Sequence, residues 1–448
     1  MTPMGLTILI CSILVVLFGS REWAAMAMVA SILYLTEGQR ADIGGINFFA
    51  VRFIEIAGFI RITLRKEITG VQFNDIDKSF LIFQSVLLLV FLVRSFVNPA
   101  SSGHRAYRIG FFCDALTTYF IFRSLIIDTI IFRNFLKKLS LLIIPFAVLM
   151  IIESRTGRNP FASMGGVPAV PVIRNGHFRA QGSFGVAITA GSFGATLMPL
   201  FISAILVENR RLWGFLGIGS CIAIAITAHS GGPVLAFVAA VIAWFSWIIR
   251  EWMRMVRRGM LFLAVLLQLV MKAPIWFVLA RVSNLTGGHG WDRANLIDHF
   301  AKNFWNWWLI GMPMASVNSW NVAKRANGMV DVLNTYVSTG ITGGLLALIL
   351  FIVLIVKCFK SLGISMRLMR SKADLNNEII LWGAGCCLFS HIINIIGVTY
   401  FDQIFVMWYM VLALISSLTA YCRDTVAIAD ENEEAIHDDL ADYQTVIT

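Results

Sequence analysis

Long apolar runs recur along almost the whole of the 448-residue chain, separated by short polar or charged stretches. A bilayer core of about 30 Å needs roughly 20 apolar residues per helix. Backbone groups that cannot bond to lipid force such runs into helices, and the alternating pattern of a membrane β-barrel is absent. The runs fall at about 5–19, 23–36, 44–64, 79–97, 109–130, 138–153, 184–207, 211–228, 233–250, 260–281, 336–357, 378–397 and 402–421. They predict an all-α class, a polytopic transmembrane helical bundle over residues 1–421, with long loops at 154–182 and 282–335. The first two runs are short, and those at 44–64 and 109–130 contain charges, which leaves about 11–13 spans. In the second loop Leu296, Ile297, Phe300, Phe304 and Trp308 share one helical face. With Trp305 and Trp307 they predict an interfacial helix lying along the membrane surface.

Composition strengthens this reading. Charged residues make up 14% of the chain, against about 25% in a soluble domain, which excludes an ordinary globular enzyme. The net charge of +10 is unevenly placed: from Arg423 onward one base faces eight acids, a net of −7 that leaves +17 for the rest. Residues 422–448 therefore read as an acidic, disordered cytoplasmic tail. The Lys- and Arg-rich stretches at 133–138, 209–211, 250–258 and 357–372 mark the cytoplasmic side, and both long loops then face the other way. Seven cysteines without a CxxC pair read as packing residues, and the first apolar run can itself direct insertion.

The outward face is basic against the usual rule. It takes Arg174, Arg179, Arg281, Arg293, Lys324 and Arg325, with His177 and His289. Arginine presents a planar fork of donors suited to phosphate, so these residues point to a phosphate-bearing lipid or an anionic glycan, or else are solvated loop charges. Within the apolar runs, Arg52 and Glu55 stand one helical turn apart and read as a pair; Asp114 and Arg123 read as mutual partners or as the lining of a lipid groove. Arg94, Asp128 and Lys272 are further intramembrane charges. No phosphate-binding glycine loop, paired metal-nucleotide carboxylates or soluble domain is present to serve a nucleotide sugar, and nothing points to nucleic acid.

Four stretches in order resemble the O-antigen ligase and polymerase superfamily. These are Arg179-Ala180-Gln181-Gly182-Ser183-Phe184, running on through Gly191 to Pro199; Thr227-Ala228-His229-Ser230-Gly231-Gly232-Pro233; Gly288-His289-Gly290-Trp291-Asp292-Arg293 followed by Trp307-Trp308-Leu309-Ile310-Gly311; and Asp331-Val332-Leu333-Asn334-Thr335-Tyr336-Val337 ahead of Gly340 and Gly343-Gly344. The likeness covers roughly residues 170–355. It implies a metal- and cofactor-free glycosyltransferase in a bacterial inner membrane, with its active face periplasmic. Its donor and acceptor are glycans linked to polyprenyl pyrophosphate, with bilayer lipid as surroundings and a chain-length regulator or export complex as partner by analogy. The resemblance further implies Arg179 and Arg293 as pyrophosphate ligands, with Arg174, Asn334 and Tyr336 as further glycan or pyrophosphate contacts. Ligases of the family place a histidine immediately before the motif asparagine; here Leu333 stands there. Asp331 or His289 is left as the base for an acceptor hydroxyl, Asp331 reading equally as the N-cap of the next helix. A repeat-unit polymerase is expected first, with a ligase and a lipid-linked-sugar transporter as the alternatives.

Overall fold

The computed structural model describes residues 1–447 other than 44, 45, 98–104, 208–210, 286–289, 325–327 and 402; side chains are described for the same residues except 43, 46, 47, 282–285, 429 and 431–447. The chain opens with α1 (Pro3–Phe18) and α2 (Arg21–Tyr34), a short hairpin of β1 (Arg40–Ile43) and β2 (Ile46–Phe49), then α3 (Ala50–Leu64), α4 (Asp75–Val97), α5 (Arg105–Leu125) and α6 (Thr129–Thr156). A second hairpin, β3 (Ile173–Arg174) with β4 (His177–Phe178), precedes α7 (Ala187–Val207), α8 (Leu212–Thr227), α9 (Gly231–Phe245) and α10 (Met253–Val270). The second long segment holds α11 (Val278–Leu285), α12 (Gly290–Lys302), α13 (Phe304–Trp307) and α14 (Met314–Val317). Three long helices close the fold: α15 (Thr335–Ser371), α16 (Leu375–Gly397) and α17 (Ile404–Ile447).

Among the described residues seven helical stretches are long and apolar enough to cross a membrane: α4, α6, α7, the bent α9–α10 stretch, α15, α16 and α17 as far as Ile428. The chain is an all-α, multi-pass membrane protein. Helix α7 sits centrally against α8, α9 and α16. Small residues permit that approach, as is usual between helices in lipid: a Cβ on Gly194 would lie 2.6 Å from the Cys221 carbonyl oxygen, and one on Gly217 2.4 Å from the Phe201 ring. Helix α10 differs from its neighbours. After a kink at Ile249 (φ −106°) it buries none of its residues.

Several expectations change in three dimensions. Arg52 pairs with Asp114 on α5, its Nε and Nη2 lying 2.9–3.1 Å from the carboxylate oxygens, whereas Glu55 accepts from the Thr118 hydroxyl at 2.8 Å. Arg123 meets Asp77 at 3.4 Å, not Asp114. Helical spacing identifies neighbours on one helix, but these partners come from the next. Asp128 caps α6 by accepting from Ile131 N at 2.7 Å. The acidic tail continues α17 as helix to Ile447. No glycine or proline interrupts it, and a helix already nucleated in the bundle propagates cheaply.

Two of the basic stretches meet at one end of the bundle, where Arg250 and Arg370 both reach the buried Glu378 and Lys372 meets Asp430 at 2.6 Å. The two long segments meet at the other end. There the second one packs against the start of α15 in a small separate core of Leu296, Phe300, Trp307, Met312, Val317, Trp320, Val330, Val337 and Ile341. The expected surface helix is thus split into α12 and α13. Trp307 belongs to the core, stacked on Phe300 at 3.9 Å with its Nε1 donating to the Phe300 carbonyl, while Trp305 is 78% exposed.

Helix α15 is broken within the bundle. Gly344 adopts φ 72° and ψ −173°. The backbone groups released there are met by the second long segment: Leu345 N donates to Trp308 O at 2.7 Å and Met312 N to Ile341 O at 2.8 Å. The Ile341 oxygen also accepts from Arg94 Nη1 at 2.8 Å. Irregular backbone at membrane depth requires such substitution.

Candidate functional site

A cavity of about 820 Å³ opens where the two long segments meet, and Arg174, Arg179, Arg293, Lys324, Asp292 and Asp331 all line it. Sequence positions more than a hundred residues apart thus share one chamber. Apolar walls from Val172, Ile188, Leu296 and Phe401 complete it, and Leu333 faces it too. Four bases against two acids make it a positive chamber at the edge of an apolar bundle.

Arg179 is held by its neighbours' backbone. The Asn175-Gly176 pair, with φ 51° and 78°, makes the two-residue turn that favours these residue types. It returns β4 onto β3, with Arg174 opposite His177. Arg179 N then donates to Val172 O at 2.9 Å and Ala180 N to Thr227 O at 3.0 Å. Glu153 on α6, with no exposed surface, accepts from Gln181 N at 3.1 Å and from Gly182 N at 2.8 Å, one through each carboxylate oxygen. Asn159 Nδ2 bonds Gly182 O at 2.9 Å, and Gln403 Nε2 bonds Ser183 O at 3.0 Å. Gly182 itself has φ 59°, and a Cβ there would lie 2.7 Å from the Phe146 ring. The Arg179–Phe184 motif is therefore a clamp whose product is the position of one guanidinium.

Arg293 enters from the first turn of α12 and rests on the end of α16, where a Cβ on Gly397 would come 3.0 Å from its Cζ. Neither Arg179 nor Arg293 has an ion-pair partner within 4 Å among the described residues, and both Nε atoms are buried without a hydrogen-bond acceptor. Burial, and after it the nearby Arg174 charge, lowers the pKa of each guanidinium from its usual value; Asp292 partly opposes this at Arg293. Partial burial of positive charge that two acids do not balance is costly, and an anion in the cavity offsets that cost. On the Thr227–Pro233 turn, His229 (φ 41°) stacks on His177 at 4.7 Å. Burial, then His177 and Arg179, lower its pKa.

The last motif divides into two parts. Asp331 lines the cavity, and the cap of α15 is Asn334 instead, which accepts from Val337 N at 3.0 Å. Asn334 also donates from Nδ2 to Ile396 O at 3.0 Å, and its backbone N donates to Thr399 Oγ1 at 2.9 Å. Thr399 in turn donates to Val332 O. Asn334 is thus a fastener outside the cavity. Tyr336 also lies outside it, its hydroxyl 3.4 Å from Ile392 O. His289 and Arg325 lie outside the described residues.

Comparison with known proteins finds no matching family model and no similar curated protein.

Sequence reasoning missed Glu153 and Gly397. A single acid at the end of an apolar helix, beside a loop with four arginines, was the available signal for the first. Replacing Glu153 with Gln leaves one acceptor for two backbone N–H groups and sets an amide N–H₂ against the other. The expected cost is about 3 kcal/mol, read as a lowered unfolding midpoint in detergent, together with weakened binding of anionic lipid as Arg179 shifts. An unchanged midpoint contradicts the clamp.

Proposed function

We propose that the chain is a membrane glycosyltransferase that polymerises polyprenyl-pyrophosphate-linked oligosaccharide repeat units at the extracytoplasmic face, for an exopolysaccharide or O-antigen. The observation that most supports this is the pair Arg179 and Arg293, brought from separate segments into one cavity, half-buried, each with a buried Nε that lacks an acceptor. A lipid pyrophosphate is the anion that suits a cationic chamber beside an apolar bundle. The acceptor hydroxyl attacks the anomeric carbon and the bond from that carbon to the pyrophosphate oxygen breaks. The hydroxyl proton passes to Asp331, and the leaving pyrophosphate gains charge against Arg179 and Arg293. Cations fixed in advance stabilise that charge with little reorganisation.

Leu333, facing the cavity where ligases of the resembled family carry histidine, speaks for polymerase over ligase. One observation favours a transporter: the break of α15 at Gly344, together with the partly buried Arg52–Asp114 pair beside Glu55, since discontinuous helices and membrane charges mark transport sites.

The test supplies purified protein in vesicles with the lipid-linked repeat unit. A ladder of lengths supports the polymerase, a single transfer to a different acceptor supports a ligase, and a change of leaflet without new product supports a transporter. Asp331→Asn is expected to slow ladder growth about 100-fold while the donor still binds. Undiminished growth in that variant removes Asp331 from the role of base.

A further inference from the structure

Between Asp77 and Asp114 the sequence has no acidic residue, yet it carries Arg94, Arg105 and Arg108. The end of α4 and the start of α5 set these three at the same end of the bundle as the large cavity, because Arg94 Nη1 donates to Met312 O at 3.0 Å and to Ile341 O at 2.8 Å. Arg105 is occupied by Ser95, through Oγ at 2.8 Å and the carbonyl at 2.7 Å. Neither Arg94 nor Arg108 has an acidic partner within 4 Å among the described residues, although Arg94 Nη1 is held by its two carbonyls. Both guanidinium groups lie over the Phe91 ring, at 5.0 and 5.2 Å. Arg94 is only 6% exposed and its Nε has no acceptor. Among the described residues Arg108 makes no hydrogen bond or ion pair, and residues 98–104 contain no acid for an ion pair.

Arg108 lines a separate pocket of about 70 Å³ enclosed by α4, α5, α15, α16 and α17. Ser338 and Thr342 line it as well, one helical turn apart on one face of α15. One guanidinium and two hydroxyls among its lining offer donors to an oxyanion. A single strap divides this pocket from the large cavity: Thr335 and Thr399 line the smaller side, while Asp331, Leu333 and Phe401 line the larger. Thr399 ties the strap together through Val332 O and Asn334 N.

We propose that the Arg108 pocket is a second anion site, which takes the phosphate or pyrophosphate head of a membrane lipid. Resting on the polymerase reading, it holds the acceptor lipid while Arg179 and Arg293 hold the donor. Two pyrophosphates repel, so each needs its own cations, and the strap carrying Asp331 lies where the two glycans meet.

The experiment measures binding of undecaprenyl phosphate to the full chain in phosphatidylcholine nanodiscs, with inorganic pyrophosphate as a second probe. Two lipids per protein are expected. Arg108→Ala is expected to weaken one site by about 10-fold to 100-fold and leave the other, with Arg293→Ala doing the reverse. Arg108→Ala should unfold as the parent does, since no protein hydrogen bond is lost, and Arg108→Lys should restore part of the affinity if its fold is disturbed. Competition by inorganic pyrophosphate assigns recognition to the head group alone; lack of competition assigns it to the lipid-borne form. One lipid per protein, or two unaffected by Arg108→Ala, overturns the second site. These results are independent of the ladder assay: two-site binding without a ladder sinks the enzyme reading and keeps this site, and a ladder with one-site binding does the opposite.

Discussion

Gly344→Ala is expected to destabilise the protein by about 3 kcal/mol or more. At φ 72° and ψ −173° the backbone lies in a region open essentially to glycine alone. The added Cβ would also sit 2.6 Å from the carbonyl oxygen of Leu309, a backbone atom that cannot rotate away. Relief by straightening α15 is blocked, because Trp308 O and Met312 N have already replaced the missing helical partners of Leu345 and Ile341. Straightening discards both bonds and buries their groups unpaired. The unfolding midpoint in detergent reads the effect, with Gly363→Ala as the control on the same helix. A Cβ on Gly363 meets nothing within 4 Å, so that variant is expected to be neutral or more stable by up to about 1 kcal/mol. Equal behaviour of the two variants contradicts the break in α15.

The contrast between those two glycines shows what the chain discloses without its fold. Spans were legible because lipid demands long apolar runs, and nearly every predicted run carries a helix. The break was not legible from hydropathy, since the residues around Gly343-Gly344 remain apolar on both sides; only the motif likeness drew attention to it. Charge pairing failed for a different reason. Periodicity relates Arg52 to Glu55, but Asp114 is delivered by another helix. At the site, the basic outward loops already singled out Arg174, Arg179 and Arg293, because arginine there breaks the usual charge rule. Their supports were hidden. Glu153 and Gly397 act through backbone contacts that appear only when α6 and α16 are packed. The side-chain bonds of Asn334 go to the backbone of α15 and α16, which spacing along the chain does not disclose. The Asn175-Gly176 turn, formed with positive φ at both residues, is what joins the strand carrying Arg174 to β4.

Arg293→Ala is expected to slow polymer growth by roughly 100-fold to 1,000-fold, the usual loss when one prearranged donor to a developing charge is removed. Stability should hold or rise, because the guanidinium gives up no protein hydrogen bond and its removal lessens repulsion with Arg174. That combination separates a ligand from a scaffold residue such as Glu153, where both quantities fall. Arg293→Lys should recover little, since an ammonium cannot present the two parallel donors that a pyrophosphate accepts. The double change Arg179→Ala with Arg293→Ala decides whether both act on one anion. If they grip the same pyrophosphate, losing the first partly spoils the second, and the double variant falls short of the product of the single effects. Purely multiplicative effects indicate two independent contacts, and an intact ladder in Arg293→Ala removes that arginine from catalysis.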